Sequence, residues 1–78
     1  MNYEEYLDEA IQFLETSVKQ GQKFELKDLF SGVRWNALDS GEKRGFGAYF
    51  SRQYKDGRLP MIEKMGETKS HHNKYIKL

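Results

Sequence analysis

The chain has 78 residues, of which 37% are hydrophobic, 14% aromatic and 32% charged, with a net charge of +1 and no cysteine. A chain this short buries only about 60% of its unfolded surface, so the expectation is one folded domain spanning residues 1–78, with an aromatic core and no room for a separate catalytic unit. Disulfide staples, thiolate metal sites and cysteine nucleophiles are excluded, and an acidic N-terminus without a long apolar run argues for a cytoplasmic protein with neither signal peptide nor membrane span.

The first predicted element is an acidic amphipathic helix within residues 1–21. Tyr3, Tyr6, Leu7, Ala10, Ile11, Leu14 and Val18 fall on one stripe, with Asn2 as N-cap, Glu5 at capping-box spacing, and Lys19 with Gly21 at the end. Phe13 lies off the stripe, either as a second core contact or as a contact to a partner. Lys23 to Leu26 alternates as a very short strand and runs into helical spacing at Leu26, Leu29 and Phe30, which Gly32 breaks. Trp35 and Leu38 suggest one more helical turn. Asp39 with Glu42 caps a longer helix from Ser40 to Asp56, whose apolar face is Phe46, Tyr49, Phe50 and Tyr54 and whose stop is Gly57. Gly45 and Gly47 each weaken that helix by about 1 kcal/mol relative to alanine, so a bulky neighbour such as Trp35 or Phe30, or a nucleic-acid backbone, is expected close by. Met61 to Met65 and Lys74 to Leu78 read as the two strands of a hairpin, with Ile62, Tyr75 and Leu78 facing inward.

This order of elements predicts an α+β fold, a small winged-helix-like domain of three helices with a short strand and a C-terminal β-hairpin, the wing spanning 61–78. A hairpin alone is marginal in water, so the short strand is expected to join it as a third. The run Phe24-Glu25-Leu26-Lys27-Asp28-Leu29-Phe30, then Gly32, Trp35-Asn36, Leu38, Gly41, Gly47, Phe50 and Gly57-Arg58-Leu59-Pro60, resembles a family of small uncharacterised proteins of Gram-positive bacteria, their phages and mobile elements. The resemblance covers residues 23–78. It implies a winged-helix-like fold and carries no activity with it.

Catalysis finds little material. His71 and His72 are the only histidines, and as adjacent residues they cannot converge on one site from a strand; no metal spacing, phosphate loop, triad or cofactor motif is present. The expectation is a protein that is not an enzyme and takes no cofactor or metal. Charge is more informative, because four basic against nine acidic residues precede Lys43, and nine basic against three acidic residues follow from it, giving −5 and +6. A duplex-DNA surface is therefore expected from Lys43, Arg44, Arg52 and Lys55 on the long helix and from Lys64, Lys69 and Lys74 on the wing, over a core of Phe30, Trp35, Phe46 and Phe50. Against it stand a pI near 8.0 and the acids Glu42, Asp56, Glu63 and Glu67 in the same footprint. The alternative is a protein-interaction adaptor without DNA binding, with the first helix meeting a partner or a second copy as a homodimer through Tyr3, Tyr6 or Phe13.

Overall fold

The computed structural model describes residues 2–67 and 73–78. Among them the chain forms α1 (Tyr3–Ser17), β1 (Lys23–Glu25), a 3-10 turn (Leu26–Leu29), α2 (Gly32–Asn36), α3 (Ser40–Lys55), β2 (Ile62–Glu67) and β3 (Asn73–Lys77). The class is α+β, with three α-helices and a three-stranded antiparallel sheet.

Each helix starts where its side chains supply acceptors for the free N–H groups of a first turn. The Glu5 amide donates to Asn2 Oδ1 at 3.1 Å, and the Arg34 amide donates to Ser31 Oγ at 3.1 Å. Gly32 therefore opens a helix behind a serine cap, where the sequence suggested only a break. Asp39 and Glu42 form the full reciprocal box: the Glu42 amide donates to Asp39 Oδ1 at 2.7 Å and the Asp39 amide to Glu42 Oε1 at 3.2 Å. Losing such a cap destabilises by about 1 kcal/mol. Gly57, at φ +82°, turns the chain out of α3 in a conformation that a side chain resists.

The strands lie in the order β1-β3-β2, so the short strand joins the hairpin and β3 is central. Phe24 sits opposite Tyr75, their rings stacked at 5.9 Å, and Ile62 pairs with Lys77. A bulge between Lys64 and Gly66 lets Gly66 adopt φ +114°. The strands extend further toward each other than the alternation implied, and the segment 68–72 lies outside the described residues.

The core fills the space between α1, α3 and the sheet. Leu7, Ala10, Leu14, Phe46 and Phe50 are wholly buried, with Leu29, Leu59, Ile62 and Tyr75 close behind. Rings of Tyr3, Tyr6, Phe30, Tyr49 and Phe50 all surround Phe46. Trp35 occupies a different place from the one its size suggested. It is half-buried at the rim and reaches the cluster by stacking on Phe30 at 5.6 Å.

Three other expectations are corrected. Leu78 is 53% exposed, because side chains alternate along a strand and a residue three positions beyond Tyr75 takes the opposite face. The close neighbour of Gly45 is Tyr3, whose hydroxyl occupies the space a Cβ would need, and neither Trp35 nor Phe30. Tyr6 is buried, and Tyr3 packs against Phe46 and Tyr49, so of the three aromatics proposed as an α1 contact surface only Phe13, at 38% exposure, faces solvent.

Candidate nucleic-acid interface

The inward face of α3 is set by Phe46, Phe50 and Gln53, which are buried. Helical spacing then puts Ser40, Lys43, Arg44, Gly47, Ala48 and Ser51 on a single stripe of the other side. Arg44, Arg52 and Lys55 are exposed, and Lys43 is half-buried with its Nζ 5.8 Å above the Trp35 ring. None of these four cations lies within 4.0 Å of a carboxylate among the described residues. The contrast with the opposite flank of the molecule explains why.

There, the acids of α1 engage the remaining arginines. Arg34 donates through Nε and Nη2 to the two oxygens of Glu9 at 3.1 and 3.0 Å and reaches Glu5 at 3.5 Å, with its guanidinium carbon 4.3 Å above Tyr6. This fork geometry, with Glu9 the main cause, holds the Arg34 proton still more firmly than usual. Glu4 accepts from the Tyr49 hydroxyl and lies 3.5 Å from Arg58. The Tyr49 bond is the main reason the Glu4 carboxyl sits below its ordinary range, and Arg58 adds to it. The acids of α1 thus pair with Arg34 and Arg58, and among the described residues the α3 cations have no such partner.

The sequence-derived wing residues do not all converge on α3. Lys64 lies on the same face of the sheet as Ile62 and Tyr75, and its amide donates to the Tyr54 hydroxyl at 3.1 Å, near the end of α3. Lys74 pairs in register with Glu25 and Gly66, which puts it on the face away from Tyr75. Lys69, like His71 and His72, lies outside the described residues. Among the described residues no cluster of three His, Cys, Asp or Glu side chains is placed to hold a metal ion, and no helix is long and apolar enough to cross a membrane.

Beside α3 runs a groove of about 760 Å³. Its walls come from the 3-10 turn, α2 and β3, including Leu26, Lys27, Trp35 and Asn73. Lys27 carries no role in the sequence, Trp35 reads there as a core residue, and Gly47 reads as a place where a bulky neighbour or a nucleic-acid backbone comes close; what the sequence does not show is that the turn before α2 brings Lys27 and Trp35 beside Gly47. At the sheet end, burial pushes the Tyr75 phenol above its usual value of 10.0, partly offset by hydrogen bonding with Asn73 and Ser51. A proton held more tightly in the folded state gives stability that is whole below about pH 10 and declines as pH rises through the raised value. We expect the melting temperature to fall above about pH 10, and Tyr75→Phe to flatten that decline; identical alkaline profiles for both proteins would remove Tyr75 as its source.

The molecule is thus a small α+β domain whose longest helix carries, among the described residues, a basic face without carboxylate partners next to a groove. It belongs to the family described as Domain of unknown function (DUF1413), which matches residues 9–77. The match begins within α1, so most of the first helix falls inside the family's extent, where the resemblance read from the sequence began at Lys23. No curated protein and no solved structure matches the chain.

Proposed function

We propose that this domain is a non-catalytic winged helix that binds double-stranded DNA, with α3 as the recognition helix and the β2–β3 hairpin as the wing. The observation that carries the reading is the set of four α3 cations, Lys43, Arg44, Arg52 and Lys55, without carboxylate partners among the described residues, while Arg34 and Arg58 are held by α1. The element order and the β1-β3-β2 sheet support the winged-helix assignment. Lys64 extends the basic surface at the far end of α3, and Lys74 stands on the other face of the hairpin, while Lys69 lies outside the described residues. The sequence resemblance suggests an origin in Gram-positive bacteria, their phages or mobile elements; a regulatory role is part of the DNA-binding reading, and the absence of cysteine is in keeping with a cytoplasmic location. The adaptor reading rests on Phe13 alone, since Tyr6 is buried and Tyr3 packs inward.

Binding through several phosphates releases counterions, so affinity must fall steeply with salt. Fluorescence anisotropy with a labelled duplex is expected to show binding at about 50 mM salt, with a log–log salt slope of roughly −3 to −4 if all four cations meet phosphate. Absence of duplex binding at high micromolar protein and about 50 mM salt would overturn the DNA reading, and the α1 surface would then be the one to mutate.

A further inference from the structure

The two glycines of α3 have different surroundings. At Gly45 a Cβ would overlap the Tyr3 hydroxyl, so packing accounts for the missing side chain. At Gly47 a Cβ would meet only Leu26 Cδ2, at 4.0 Å, an ordinary contact. Nothing inside the fold requires a glycine there, although a glycine in a helix interior weakens it by about 1 kcal/mol relative to alanine. Gly47 lines the groove beside α3, and its missing side chain gives an occupant access to the helix backbone.

The chemistry of the walls says what kind of occupant fits. Lys27, Lys43 and Arg44 line the groove against one carboxylate, Glu25. Trp35 supplies a half-buried aromatic surface, braced by Phe30 and with the Lys43 ammonium above its ring. Cations that follow a phosphate backbone and an aromatic that accepts a stacked base are the two parts of a single-strand site. A duplex, whose bases are already paired and stacked, offers no free base to Trp35.

We propose that this groove binds a short segment of single-stranded nucleic acid, its phosphates on Lys27, Lys43 and Arg44 and a base against Trp35, over the surface left clear by Gly47. The groove shares Lys43 and Arg44 with the surface proposed for duplex DNA, whereas Lys27, Trp35 and Gly47 belong to the groove alone, so substitution of Gly47 separates the two readings.

Trp35 is the only tryptophan, so its fluorescence reports on this groove alone. The full chain would be titrated with oligothymidylate, oligouridylate, a duplex of equal length and polyglutamate, following Trp35 emission and anisotropy together. Saturable quenching by a single strand is expected, with Gly47→Leu weakening that binding about tenfold while its melting temperature holds, and Gly47→Ala melting at or above the parent. The tighter of the two single strands then names the sugar. Absence of quenching, equal binding of the single strand by parent and Gly47→Leu, or equal quenching by polyglutamate would each overturn the proposal. Duplex binding without single-strand binding would leave the winged-helix reading intact and remove this one; the reverse result would do the opposite.

Discussion

Replacing Phe46 by alanine is expected to destabilise the domain by about 3–5 kcal/mol, the largest effect of any single substitution considered. The ring is wholly buried and has five aromatic neighbours, with centroids between 5.8 and 6.3 Å away, drawn from α1, α3 and the segment before α2. Those elements would face one shared cavity that no single side chain can fill. A domain of this length has roughly 4–12 kcal/mol in all, so a large share of it would be lost. Trp35→Ala, by contrast, removes a half-buried ring held mainly by one stack and should cost about 1–2 kcal/mol. Urea midpoints of the two variants would rank them directly. A Phe46→Ala protein within about 1 kcal/mol of the parent, or a Trp35→Ala protein less stable than it, would mean that the centre of the core has been misplaced.

The second large effect is on binding. Arg44 and Arg52 are exposed, unpaired among the described residues and two turns apart on α3, about 12 Å along its axis. Changing both to alanine should weaken duplex binding by about 1–3 kcal/mol for each that reads a base edge, and by less for one that touches only phosphate. The melting temperature should stay within a few degrees, because neither side chain supports the fold. Arg34→Ala is the matching control. It breaks the two-pronged contact with Glu9, so it should lower stability and leave DNA affinity nearly untouched. Unchanged affinity in the double variant would move the contact surface away from α3.

Local signals made much of this fold legible. The α1 stripe, the Asp39–Glu42 box and the glycine stop at Gly57 all act within four residues of chain, and the helices form where those signals put them. That the short strand joins the hairpin as a third is expected from the sequence, whereas its pairing with β3, which joins Lys23 to Ile76, is not, because alternation marks a strand and not its neighbour. Trp35 departs from the burial its size suggests, because a five-residue helix at the rim buries only part of the indole, which stacks on Phe30. The basic face of α3 could be counted from the sequence. Which arginines remain uncovered could not, because that depends on α1 lying across Arg34 and Arg58, contacts 25 to 54 positions apart.

The central position of β3 bears on how the domain is made. Every hydrogen-bonded ladder in the sheet involves β3, and Gly21, Gln22 and Met61 also bond to the backbone of Lys77 or Leu78. Since β3 follows all the other elements in the chain, a ribosome delivers α1, β1, α2, α3 and β2 before the strand that ties them together. Until then β1 has nothing to pair with, and the faces of Phe24 and Ile62 that will be buried stay open to water. Each helix can form early from its own caps and turn-to-turn contacts, but α1 meets α3 across about 40 positions and the sheet closes only once Tyr75 arrives between Phe24, Phe50 and Tyr54.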